Sequence, residues 1–172
     1  SVLYVPCRLV TLSDEIIGTG SVIKIRSITV LDEAGEFADH VSKLLIVSSE
    51  FPPGPGGIGT HAQLLALELQ QLGWEIVVIS RQDYAQPEEI SKFNARQPFH
   101  IEYLSPVRTL PLELFYRGVV VQRWISRWKP DVILASGMRS VWLTAVLART
   151  NRVPFVSVGH GTEFLLGRVY ER

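Results

Sequence analysis

Two short stretches of this sequence carry residue types and spacings able to do chemistry. The first is Gly54-Pro-Gly56-Gly-Ile-Gly59, which closes the loop Glu50-Phe-Pro-Pro-Gly-Pro-Gly-Gly-Ile-Gly59. Glycines let backbone N–H groups approach a ligand closely. Just before a helix, those groups and the helix dipole face an anion or a sugar. Prolines 52, 53 and 55 stiffen the loop and lower the entropy lost when it orders on a ligand. The second stretch is Gly159-His-Gly-Thr-Glu163, where His160 lies among small residues. Its imidazole titrates near neutral pH and can donate to a sugar hydroxyl or to developing charge. Each stretch also has a plain reading: glycines that only make a turn, and a histidine satisfied by a backbone carbonyl.

The glycine letters match the dinucleotide fingerprint G-x-G-x-x-G, but the context departs from it. In that fingerprint the first glycine ends the strand; here Ser48 to Pro53 separate Val47 from Gly54. An acidic residue should end the second strand and bind the ribose, yet that strand ends at Ser80-Arg81. Arg81 is suited to a 2′-phosphate, so an NADP-binding oxidoreductase domain stands as an alternative. A non-catalytic α/β interaction domain is a second one.

Regular elements must position these stretches. Lys43–Ser48 and Trp74–Ser80 are continuous apolar runs, as expected of strands buried on both faces. Between them, Ala62, Leu65, Ala66, Leu69 and Leu72 define one face of a helix over about 60–72, ended by Gly73. The pattern repeats. His100–Leu104 follows a polar loop at 81–98, and a long helix runs from Pro111 to Trp128, stopping before Pro130. Asp131–Ala135 is a fourth strand. Ser140–Thr150 is a nearly all-apolar helix expected to be buried. Pro154–Val158 is a fifth strand, leading into His160. Alternating strands and helices predict a Rossmann-like three-layer α/β domain with a mainly parallel sheet over 43–172. Residues 1–42 stand outside that scheme: Ser21–Val30 alternates as a strand, and Val2–Leu12 is placed to pair with it as a hairpin. They form an N-terminal β extension.

Composition narrows the class. Seventeen basic residues balance seventeen acidic ones, which argues against a nucleic-acid partner. A lone Cys7 makes no intramolecular disulfide, so a reducing compartment is the simpler reading. No apolar run reaches a membrane-spanning length, and the start lacks the pattern of a signal peptide. A cytoplasmic location is expected.

The stretch KLLIVSSEFPPGPGGIGTHAQLLALELQQLGWEIVVIS resembles the opening of GT-B glycosyltransferases of family 4. KPDVILAS and VPFVSVGHGTEF resemble that family's later signatures, in the same order and on the same strand ends. The resemblance implies the N-terminal, acceptor-side domain of a retaining enzyme that moves a sugar from a nucleotide-sugar to a hydroxyl acceptor, either a saccharide or a lipid-linked one. It places Gly56 and Gly57 under the donor phosphates and the acceptor. It puts His160 at the transferred sugar as the catalytic residue, with Gly161, Thr162 and Glu163 bordering the same crevice. No metal or other cofactor is implied, the nucleotide-sugar being a substrate. Ser136 departs from the pattern, since relatives often carry histidine in that segment, and an acceptor contact there is in doubt.

The family's second domain normally carries the donor-binding residues, and few residues follow Glu163. The chain is therefore expected to be an N-terminal half, inactive in transfer by itself. Residues 106–129 hold five basic residues against one acidic, a net +4, interleaved with Phe115, Tyr116, Trp124 and Trp128. Such a helix suits an anionic membrane surface. Val120, Val121, Trp124, Ile125 and Trp128 at helical spacing suit a sheet-covering helix better; peripheral contact at the inner membrane face is the alternative.

Overall fold

A computed structural model describes residues 42–107 and 109–158, together with the backbone of three strands nearer the N-terminus. The chain divides into two compact units, Ser1–His40 and Val41–Arg172. In the first, β1 (Val2–Val5), β2 (Arg8–Ile16) and β3 (Ile23–Val30) form an antiparallel sheet in the order β1-β2-β3. The β2–β3 register shifts between Leu12 and Asp14, as a bulge shifts it. The hairpin expected from 2–12 and 21–30 is thus a three-stranded meander.

The second unit runs β4 (Lys43–Ser48), α1 (Gly57–Gln71), β5 (Glu75–Ser80), α2 (Pro87–Asn94), β6 (His100–Tyr103), α3 (Leu110–Trp128), β7 (Val132–Ser136), α4 (Met138–Asn151) and β8 (Phe155–Val158). Its five strands are all parallel, in the order β6-β5-β4-β7-β8. This is the Rossmann-like α/β fold the alternation predicts. From β4 the chain builds outward through β5 and β6, then returns across the sheet to β7. Right-handed crossovers therefore place α1 and α4 on opposite faces. The boundary between β4 and β7 is the topological switch point, where open α/β sheets bind ligands at their carboxyl ends.

Successive side chains of a strand point to opposite faces, and here both faces are dry. Leu44, Leu45, Ile46 and Val47 are wholly buried. Leu45, Val47, Val77, Ile79 and Ile133 join Val121 and Ile125 of α3 and Ala148 of α4 in one cluster. α1 packs on β4 and β5 and buries Ala62, Leu65, Ala66 and Leu69. It closes as the apolar spacing predicts: Gly73, at φ 89°, donates to Gln70 O and Trp74 donates to Leu69 O, the paired bonds of a Schellman motif.

Two elements depart from expectation. The polar loop at 81–98 contains α2, which starts on Pro87 and carries Glu88 and Glu89 in its first turn. Ile90 is the one residue it buries, too little for a periodic signal. α4 is not a buried apolar helix. It buries Ser140, Thr144 and Ala148, while Trp142 is 74% exposed and Val146 64%. Its small residues face β4, β7 and β8, where close approach to the sheet leaves no room for a larger chain. The big apolar ones are left outside.

Candidate functional site

The carboxyl ends of β4, β5 and β7 open into a cleft of about 360 Å³. Its floor is held by strand ends. Ser49 N donates to Ser136 O at 3.0 Å, and Ser80 Oγ donates to Ser48 O at 3.1 Å. Ser49 and Ser140 share a hydroxyl hydrogen bond of 3.1 Å, tying β4 to α4.

The glycine loop forms one wall. Phe51, 2% exposed, anchors it through edge-on contacts with Phe93 and Phe99, both at 6.4 Å. Gln82 is buried and donates to Pro52 O, while it exchanges amide hydrogen bonds with Asn94. The stretch predicted as a plain loop therefore fastens the glycine loop. The glycines do separate jobs. A Cβ on Gly59 would meet Phe51 Cα at 3.0 Å and Phe51 N at 3.1 Å, so Gly59 serves helix–loop packing. A Cβ on Gly56, at φ 155°, would run into the Glu50 carboxylate. A Cβ on Gly57 would meet nothing within 4 Å. No packing demand requires glycine there, and the space above it opens outward.

α1 begins at Gly57 rather than near Thr60, so the double glycine is the helix start itself. Gly56 provides no side-chain cap, and the first turn holds no acidic residue. The first N–H groups of a helix have no intrahelical partner. α4 starts the same way on the opposite wall: Gly137, at φ 86°, is its N-cap, with no side-chain cap and no acid in the first turn. Two uncapped helix starts thus flank one cleft, which Pro55 and Ile58 line from one side and Met138 and Arg139 from the other.

A charged group closes the remaining side. Arg81 donates to Glu113 Oε1 at 2.9 Å and forms an ion pair with Asp83. Burial alone would lower its pKa, but the two carboxylates outweigh that and leave it raised. Arg117 is different. It is 2% exposed, and its hydrogen-bond partner is Ser48 O at 2.8 Å. Its Nε is buried without a partner. Burial lowers the guanidinium pKa to about 10, against which nearby Glu113 only partly compensates. A depression of that size corresponds to about 3 kcal/mol of unfavourable charge burial. Strongly perturbed groups in clefts mark functional sites.

Of the residues expected at the site, Gly56 and Gly57 sit at the start of α1, between Pro55 and Ile58, which line the cleft. His160, Gly161, Thr162 and Glu163 lie outside the described residues. Ser136 ends β7 at the cleft floor. Arg81 is engaged by Glu113 and Asp83, while its Nε is buried without a hydrogen-bond partner. Sequence reasoning missed Glu50, Glu113, Arg117 and Arg139 as lining residues. A signal was present for two of them: Glu113, Arg117, Val121 and Ile125 recur every four residues and make the buried stripe of α3. The apolar stripe simply continues into charge, so two members of the +4 segment are buried rather than solvated.

The model of the family described as Glycosyltransferase Family 4 matches residues 55–172. MurG from Acinetobacter baumannii superimposes with a TM-score of 0.53 at 19% identity, over 74% of this chain and 39% of that one. A glycosyltransferase from Rickettsia africae superimposes with a TM-score of 0.51 at 11% identity, over 73% of this chain and 33% of that one. This chain thus spans well under half the length of either. No curated protein matches it. With its glycine-started helix, its switch-point cleft and a family match over most of its length, the chain belongs to glycosyltransferase family 4.

Proposed function

We propose that this domain is the acceptor-side half of a retaining glycosyltransferase, in which a sugar moves from a nucleotide-sugar to a hydroxyl acceptor. The observation that carries this reading is the open space over Gly57, at a helix start beside the switch-point cleft. Backbone N–H groups of α1 would face the donor phosphates, while the cleft between α1 and α4 would hold the acceptor. His160, two residues past the end of β8 at Val158, would contact the transferred sugar, bordered by Gly161, Thr162 and Glu163. Catalysis would rest on positioning and on stabilising the departing diphosphate. No metal or organic cofactor enters this scheme. A second domain would complete the donor site, so the 172-residue chain alone would not turn over.

The test is sugar transfer by the complete natural polypeptide, with the product's anomeric configuration read by NMR. Transfer with retention is expected, and His160→Ala should lower turnover by about a hundredfold without changing the melting temperature. Inverted product, or full activity in the variant, would overturn the corresponding part.

The outer face of α3 and α4 supports peripheral contact with an anionic membrane surface at the cytoplasmic side. The two helices pack together. Leu112, Phe115 and Val119 are exposed on one, Met138, Trp142 and Val146 on the other. Arg123, Arg127, Lys129, Arg149 and Arg152 are exposed along the same helices and their ends, whereas Glu113, the acid of α3, is buried. Apolar side chains ringed by cations complement anionic headgroups. No helix among the described residues is long and apolar enough to cross a membrane. In flotation, the chain should rise with anionic vesicles, and Phe115→Glu with Trp142→Glu should cut binding at least about tenfold. Wild-type chain that stays with the soluble fraction would remove the membrane contact and leave the face to a protein partner.

A further inference from the structure

The cleft contains a cation whose hydrogen-bonding capacity is left open. Asp83 and Glu113 both direct oxygens to Arg81. Arg117 is left with one backbone carbonyl among the described residues, and its Nε is buried and unpartnered. A guanidinium offers five donors in a planar fork that matches phosphate and carboxylate oxygens. Arg117 lines the cleft together with Arg139 and the uncapped starts of α1 and α4. Four positive features from three helices therefore converge on one space. Glu50 and Glu113 line the same space, and carboxylates there suit hydroxyl donors.

We propose that the cleft receives a phosphate group carried by the acceptor, seated against Arg117 and Arg139 at the first turn of α4, apart from the α1 amides that face the donor. The proposal rests on the acceptor-side reading above and names the acceptor's class: a phosphorylated polyol or sugar. The size of the cleft separates this from the donor's diphosphate. About 360 Å³ is near the lower end of ligand pockets, enough for a phosphorylated monosaccharide-sized group and small for a whole nucleotide-sugar. The mixed lining fits as well. Arginines take the phosphate and carboxylates take hydroxyls.

Calorimetric titration of the 172-residue chain with inorganic phosphate tests this, with a melting curve recorded for every variant. Saturable binding to wild type is expected. Arg117→Met should weaken it at least about tenfold and Arg139→Met severalfold, while Arg117→Lys retains part of it. Arg96→Met, exposed just past the end of α2, should change nothing. Should Arg117→Met fail to fold, the lysine variant and Arg139→Met carry the test. Three results would overturn the proposal: no phosphate binding to wild type, binding indifferent to Arg117, or Arg117-dependent binding in which uridine diphosphate displaces phosphate at lower concentration. The first two mean an adventitious ion or none, and the third assigns the anion to the donor. Transfer to a neutral acceptor by a polypeptide that ignores phosphate would sink this inference and leave the transferase reading intact. Arg117-dependent phosphate binding by a polypeptide that transfers no sugar would do the reverse.

Discussion

Gly59→Val is expected to lower the stability of the domain by about 3 kcal/mol, the upper range for forcing atoms into a packed site. That corresponds to a fall in melting temperature of roughly 10 °C for a domain of this size. The physical reason is specific. The atoms a Cβ would meet at 3.0 to 3.2 Å are backbone atoms of Phe51 and Glu50, and Phe51 is pinned between Phe93 and Phe99. Backbone fixed in that way cannot swing aside as a flexible side chain does. Gly57→Ala, two positions earlier in the same helix, should behave in the opposite sense. Its new methyl meets nothing, and replacing glycine where the conformation allows it stabilises by about 0.5 kcal/mol. If the space over Gly57 belongs to a ligand, that methyl nonetheless weakens binding. Thermal melts of the two variants decide the assignment. Equal losses would mean that both glycines serve packing, and that Gly57 has been misread as a ligand-facing position.

Arg117→Met should raise stability at neutral pH by about 1–2 kcal/mol, contrary to the usual direction of core substitutions. Two partners would be affected, and each keeps support. Ser48 O still accepts from Ser80 Oγ, Glu113 still accepts from Arg81, and methionine fills much of the vacated volume. What disappears is the burial of an under-partnered charge. The pH dependence provides an internal check. The folded-state pKa of about 10 lies below the ordinary guanidinium value, so above pH 10 the unfolded chain binds more protons, and wild-type stability gains as pH rises. The penalty is fully present below pH 10. The variant's advantage should therefore be constant from pH 7 to about 9 and shrink above about 10. Urea denaturation of both proteins across that range reads the difference directly. A destabilised variant with no such convergence would make Arg117 a structural residue, held for its bond to Ser48. A stabilised one means that the fold keeps this arginine at a cost to itself, as functional groups often are kept.

The sheet was legible because β4, β5 and β7 are continuous apolar runs, and burial on both faces leaves no other pattern. The end of α1 was legible because Gly73 follows the last apolar position. Its beginning was not, since Gly57 and Gly59 have no side chains to show periodicity. α2 was hidden for a related reason: a helix with Ile90 as its one buried residue writes no stripe. α4 misled in the other direction. Its apolar letters read as core, but the sheet accepts Ser140, Thr144 and Ala148 because closeness rather than hydrophobicity decides that contact. At the site, the glycine loop beside the helix start was legible from loop chemistry. Arg117 and Glu113 were not, because charges four residues apart on a helix normally mean a solvated pair. Only the register of Val121 and Ile125 showed that they continue the buried face.

The central claim is that ligand binds at the carboxyl end of the sheet, between the starts of α1 and α4. Amide NMR mapping of the 172-residue chain, titrated with a panel of nucleotide-sugars, free sugars and sugar phosphates, tests it most directly, since glycine amides resolve in their own region of the spectrum. The expected result is a set of saturable shifts concentrated at Gly56, Gly57, Ile58, Gly137, Met138 and Arg139. Shifts confined to the outer face of α3 and α4 around Phe115 and Trp142, or shifts of the cleft amides with NADPH and with no sugar compound, would contradict it.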